Sequence, residues 1–242
     1  AIEVAQAVID NTAATATQQR VAWTVQAHAW FDLEDYLHAE QAYQQVLSRT
    51  PADDENKEAV IERLAASISK QGEAAQAAGD TADAVAHFQR VRSAAPAASI
   101  VATAEYDAAA GLLQLQDWNA AAGMLQQFRT AFPDDPRQGE VTRRLATAYL
   151  SGDQPLQAAV EFERIGRDNA DAGLRKDALW QAAELYAKGG RPGQATGMYT
   201  EYIRQFPQPR EPAIEARHRI AQHHKANGET GEYHRWLSDI IK

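Results

Sequence analysis

Four of the seven histidines, His218, His223, His224 and His234, lie close together near the end of this 242-residue chain, and they are its one ligand-like cluster. A metal pair on a helix needs imidazoles three or four residues apart, so that both project from one face. The separations of five (218 to 223) and six (218 to 224) put them on different faces, which reads as solvated helix surface and a helix C-terminal turn. The acidic doublets Asp53-Asp54 and Asp134-Asp135 stand just ahead of helix-forming stretches. Carboxylates there offset the partial positive charge of a helix N-terminus, a simpler role than acid–base chemistry. The chain has no G-x-S-x-G, no phosphate-cradling glycine loop, no H-E-x-x-H and no cysteine. Thiol nucleophiles, disulfides, thiolate metal sites and a lipid-bearing cysteine are thereby set aside for these residues. No catalytic, cofactor-binding or metal-binding residue is expected, and the chain does not read as an enzyme.

The elements explain what the remaining side chains could do. Residues 177–207, DALWQAAELYAKGGRPGQATGMYTEYIRQFP, describe two short amphipathic helices and the turn between them. Leu179, Ala183 and Tyr186 fall at helical spacing, Gly189, Gly190 and Pro192 break and restart the chain, and Ala195, Tyr199 and Tyr202 resume the period until Pro207. Small residues at 183 and 195 let two helix axes approach, and the aromatics fill the space beside them. The pattern recurs. Ala39, Ala84, Ala121, Ala158 and Ala195 are spaced 45, 37, 37 and 37 residues apart, and Ala27, Gly72, Ala109, Ala146 and Ala183 hold the matching place in the first helices. A period in this range marks a solenoid of helix pairs.

The order small residue, aromatic, turn, alanine, aromatic, proline resembles the tetratricopeptide repeat, and Trp23-x-x-Gln26-Ala27-x-x-Trp30 is close to the first-helix signature of that family. The resemblance implies an all-α, right-handed superhelix of five to six helix pairs in one solenoid over 1–242. Its repeats fall at about 20–53, 57–96, 98–133, 137–170, 172–207 and 212–242, with 1–13 as the second helix of a preceding partial repeat. The spacing of 37 exceeds the 34 of the family, and the junctions YTEYIRQFPQPREP and QQFRTAFPDDP are similar to those of bacterial envelope repeats, such as the outer-membrane assembly lipoprotein and the Tol-Pal-associated coordinator. The extra residues before the second unit contain no Gly or Pro and predict one lengthened helix over about 55–78. The partial first repeat and the apolar WLSDII near the other end suggest a piece cut from a longer chain, or a capping helix at the start.

In such arrays the first helices line a concave groove. Carried over to this sequence, the groove positions include Thr24, Val25 and His28 in the first pair, and Tyr106, Arg143, Arg144, Trp180, Gln181, Glu184 and Arg219 further on. Arginine and aromatic side chains dominate interface hot spots, so this set suits an extended protein or peptide partner carrying acidic groups. The asparagine and lysine set that clamps chaperone C-termini is missing, because Val25, Lys70, Asp107 and Arg144 stand in its places. The recurring aromatics Trp23, Trp30, Tyr43, Phe88, Phe128, Tyr149, Phe162, Tyr186, Tyr199 and Tyr202 read as core.

Composition agrees. Alanine-rich and helix-favouring, with a net charge of -9, the chain is ill suited to neutralising nucleic-acid phosphates, and no apolar run is long enough to span a membrane. The expected function is a non-catalytic interaction scaffold in a bacterial envelope complex. The periplasm is suggested by resemblance alone, and nothing in the sequence sets the cytoplasm aside. Two other readings are a module that self-associates through open array ends, and the helical spacer of a larger enzyme whose catalytic domain lies elsewhere. If the register is right, Tyr186→Ala or Tyr199→Ala costs about 3–5 kcal/mol and loosens the array locally. Unchanged thermal unfolding in both variants would refute it.

Overall fold

The computed structural model describes residues 1–241. Among them run thirteen helices: α1 (Ile2–Ile9), α2 (Ala16–Asp32), α3 (Tyr36–Ser48), α4 (Lys57–Ala77), α5 (Thr81–Ala94), α6 (Val101–Gln114), α7 (Trp118–Ala131), α8 (Gln138–Ser151), α9 (Pro155–Asp168), α10 (Ala172–Lys188), α11 (Pro192–Gln205), α12 (Arg210–Ala226) and α13 (Thr230–Ile241). No strand occurs among the described residues. The fold is all-α and built of helical hairpins, and the lengthened helix expected over 55–78 is α4. The chain divides into two compact units, Ala1–Phe128 and the residues from Arg129 onward.

Every hairpin turns in the same way. The residue between the two helices takes a left-handed conformation: Glu34 (φ 62°), Gly79 (84°) and Gln116 (60°) in the first unit, and Asp153 (53°), Gly190 (72°) and Gly228 (74°) in the second. The next N–H then reaches back to the carbonyl five residues earlier, as in Asp35 N–H to Trp30 O (2.9 Å) and Arg191 N–H to Tyr186 O (2.8 Å). This closure satisfies helix-end carbonyls that would otherwise lack a donor. The second helix starts at once. Asp35, Asp80 and Asp117 cap the N–H groups of His38, Asp83 and Ala120, while Pro155 and Pro192 open α9 and α11, where a missing N–H costs nothing.

Small residues hold the crossings. Ala27, Ala39, Ala109, Ala121, Ala158 and Ala183 are fully buried. In the first unit a Cβ on Gly72 would stand 2.7 Å from the Phe88 ring, and in the second a Cβ on Gly166 would stand 2.7 Å from Leu179. Around these contacts sit Tyr43, Val46, Leu64 and Ile68 in the first unit, and Leu145, Leu179, Tyr186 and Ile220 in the second. Seven of the ten aromatics read as core are buried. Trp23, Trp30 and Phe162 are only half-buried, and the two tryptophans instead line an open cleft between α1 and α3. Helix α13 buries none of its residues: Trp236, Leu237 and Ile240 are half-covered and Ile241 is 86% exposed.

Three buried carboxylates were not foreseen. Glu40 receives Arg90 together with Gln71 (2.7 Å) and Gln44 (3.1 Å), and Glu105 receives Arg92. Glu161 is gripped at both oxygens by Arg129 (2.9 and 2.6 Å). Arg92 and Arg129 stand 37 residues apart, and Arg129 also reaches Thr142 (3.2 Å), the counterpart of Glu105 one repeat on. A buried carboxylate stripped of its arginine is left uncompensated at a cost of about 3–5 kcal/mol, so these pairs act chiefly as constraints on which helix faces meet.

The turns give a test. A non-glycine residue in the left-handed region is strained by about 1–2 kcal/mol. Part of that is recovered by glycine, against its larger unfolded-state entropy. Gln116→Gly should therefore stabilise the chain by about 0.5–1 kcal/mol, and Gly190→Ala should destabilise it by about 1–2 kcal/mol, both read by urea denaturation.

Candidate functional site

In the second unit the residues singled out from sequence fall into two groups. Arg143 and Arg144 stand on α8, and both turn onto Glu140, with Arg144 Nε donating to Glu140 Oε1 at 3.0 Å. The hydrogen bond from Arg143, seconded by Arg144, holds the Glu140 carboxyl below its usual range. The second group gathers where α10, α11 and α12 meet. Trp180 is half-buried, with its ring edge-on to Tyr199 and to Tyr202, each at a centroid distance of 5.3 Å. Burial pushes the Tyr199 hydroxyl up from its ordinary value, and the charges of Arg219, Glu184 and Glu215 act on it as well. Trp180, Glu184 and Arg219 thus share the surroundings of one phenol. Arg219 is exposed and tied to Glu215 at 2.7 Å, and Gln181 and Glu184 are also exposed. Tyr106, in the first unit, is half-buried with its ring 5.8 Å from Phe128.

A further concavity on this helix face lies in the first unit, and its Tyr43 and Arg63 were not named as groove residues from sequence. A pocket of about 500 Å³ opens between α2 and α4 with α3 behind it. Thr24, Val25 and His28, the groove positions that the resemblance implies for the first pair, all line it, together with Val21, Val46 and Val60. At its back lies Tyr43, only 1% exposed, whose hydroxyl has no hydrogen-bond partner. The His28 ring is 5.8 Å from the Tyr43 ring. The Arg63 guanidinium lies 5.4 Å over Phe31 and acts electrostatically on the same phenol, while Arg20 pairs with Asp54 at the rim. Such a pocket offers an apolar wall and a cation. An anchor side chain beside an acidic group fits that combination.

The signal was present in the residue type. Tyr43 holds a position occupied by Phe88, Leu125, Phe162 and Tyr199 in other repeats, and a phenol in that place, as at 43 and 199, carries a hydroxyl the core does not need. Arg63 could not be picked out, because it lies nine residues before Gly72, outside the positions that the resemblance assigns to the groove.

The histidines serve local structure. His218 contacts Gln222 (3.1 Å), His223 contacts Asn227 (3.2 Å) and His224 contacts Glu229. Among the described residues no three His, Asp or Glu side chains are placed to share a metal ion, and no helix is long and apolar enough to cross a membrane.

Burial raises Tyr43 to about 12. A folded-state value above the ordinary 10.0 leaves its contribution to stability intact below pH 10 and removes it as pH climbs toward 12. Tyr43→Phe deletes a hydroxyl that bonds to nothing. Stability near neutral pH should stay level or rise by up to about 1 kcal/mol, and its decline above pH 10 should become shallower. Denaturation curves across that range check both statements. A large loss at neutral pH would mean that the hydroxyl has a partner.

Comparison with known proteins adds the following. The tetratricopeptide repeat family model matches residues 67–98 and 177–209. No curated protein matches the sequence. Among solved structures, MamA aligns at 19% identity over 70% of this chain and 92% of its own, with a TM-score of 0.41. The C-terminal part of a TPR repeat-containing protein from Cytophaga hutchinsonii aligns at 15% identity over 99% of this chain and 88% of its own, with a TM-score of 0.41. PilW, titled a widely conserved type IV pilus biogenesis factor, aligns at 16% identity over 80% of each chain, with a TM-score of 0.38. Both matched stretches coincide with hairpins, 67–98 with the latter half of α4 and all of α5, and 177–209 with α10 and α11. The chain carries tetratricopeptide repeats.

Proposed function

We propose that the chain is a non-catalytic scaffold that binds a protein or peptide partner through the groove faces of its first helices, as part of a bacterial envelope complex. The observation that carries this reading is the Tyr43 pocket. It is a concavity of about 500 Å³ lined by the three residues that the repeat register assigns to the groove, with the buried Tyr43 at its back and Arg63 beside it. In the second unit the exposed or half-exposed set Arg143, Arg144, Trp180, Gln181, Glu184 and Arg219 supports the same use, with an aromatic beside both charges. Arg143 and Arg219 pair with half-exposed glutamates at i−3 and i−4, an arrangement worth only about a few tenths of a kcal/mol. They can exchange that partner for a carboxylate on a ligand at little cost. The envelope setting rests on the likeness of the 126–136 and 199–212 junctions to envelope repeats.

One observation favours a second reading, self-association. Val4, Val21 and Val25 are 73%, 56% and 40% exposed along an apolar trough between α1 and α2, a surface that another repeat could cover. Light scattering over a concentration series separates the two, since a strict monomer excludes this alternative.

The groove reading is tested by affinity capture from a cell-envelope extract with three chains: wild type, Tyr43→Phe with Arg63→Glu, and Trp180→Ala with Arg144→Glu. A partner held by the wild type and reduced about tenfold or more in either double variant supports it. A partner held equally by all three chains refutes it.

A further inference from the structure

The groove reading leaves a larger concavity unused. On the side of α2 opposite the Tyr43 pocket, a cleft of about 840 Å³ lies between α1 and α3, with α2 as its floor. Two tryptophans of α2, Trp23 and Trp30, are both half-buried in its lining. They stand seven residues apart, two turns of one helix face, so the indoles repeat at roughly 10 Å. That interval is close to one turn of a polyproline-II helix, about 9 Å at three residues per turn. A segment in that conformation laid along α2 presents successive turns to successive indoles.

The polar lining suits the same occupant. A polyproline-II chain has no internal hydrogen bonds and leaves its carbonyls free, so a groove for it needs aromatic walls and N–H donors. The indole Nε1 of Trp23 is itself buried, so the donors at the cleft come from α3. On α3, Gln41 is exposed, and Gln45 commits its side-chain carbonyl to Arg49 (2.6 Å), which leaves its amide N–H groups as donors. The charge at the cleft is acidic. Glu3 and Asp10 line the α1 edge. Arg49, 5.8 Å over the Trp23 ring, is engaged by Gln45 (2.6 Å), and the His38 ring lies 5.0 Å from the Trp30 ring and contacts Asp35 at 2.8 Å.

We propose that this cleft binds a proline-rich segment in the polyproline-II conformation, with an arginine or lysine of that segment placed against Glu3 and Asp10. The site is separate from the groove and does not depend on it.

The test is calorimetric titration of the chain with a synthetic polyproline peptide ending in an arginine pair, alongside the same peptide without arginines. Saturable binding is expected. It should weaken about tenfold or more in Trp30→Ala and in Gln41→Ala, the latter an exposed position whose change does not threaten the fold. Glu3→Lys with Asp10→Lys should abolish the preference for the arginine-bearing peptide. Absence of saturable binding by the wild type overturns the proposal, as does equal affinity in Gln41→Ala and the charge-reversed chain. If a neutral oligosaccharide binds the cleft and the peptide does not, the indoles serve a sugar and the proposal fails.

Discussion

Once in each hairpin the chain must leave a helix, pass through the left-handed region at a single residue and start a new helix two residues later. Everything else in the repeat is counted from that residue. The closure uses the last carbonyls of the first helix, and in five of the six hairpins the following Asp or Pro fixes where the second begins. The small residues at the helix crossing then fall opposite one another without further instruction. Glycine fills the position in half of the hairpins, and Glu34, Gln116 and Asp153 fill it in the others at some conformational cost. That the geometry persists with such residues shows how strongly helix packing on either side determines it.

Between hairpins the constraint changes character. Apolar contact is tolerant of small rotations, whereas a buried carboxylate held by an arginine of another helix is not. Arg129 reaches α9 and α8 together through Glu161 and Thr142, and Glu40 collects donors from α4 and α5. Such pairs add little net stability, because desolvation offsets the attraction. Their effect is to penalise every neighbouring register in which a charge loses its partner. Glu105 is the least complete of the three, with one carboxylate oxygen left unbonded.

The hairpins were legible from sequence because their determinants are local. Small residues, aromatics and turn residues recur at fixed offsets, and even the long α4 followed from a stretch without Gly or Pro. The buried glutamates were not legible, since Glu40 and Glu161 are ordinary helix residues until an arginine dozens of residues away arrives beside them. The candidate sites divide along the same line. Trp180 and the arginines could be named from register, but whether an aromatic ends inside or at a surface depends on how much neighbouring helix covers it. Trp23 and Trp30 were read as core, and they border a cleft because α1 and α3 flank α2 on that side without closing over it. Tyr43 is buried as its repeat position requires, yet its hydroxyl end is what distinguishes the pocket it backs.

The left-handed residues 79, 116, 153 and 190 follow one another at intervals of 37. A gene encoding such a chain can gain or lose a whole unit by unequal exchange between equivalent turns and still yield a product in register, with every cap and crossing intact. An insertion of one or two codons inside a helix has no such escape. Each added residue rotates the remainder of that helix by about 100°, turning its small-residue face away from the neighbour. The 45-residue interval between 34 and 79 is the large departure, and it is absorbed where α4 adds about two turns at its exposed start. Variation in length is thus channelled into whole units and helix ends, and the units between 79 and 190 are the ones most open to being copied or lost.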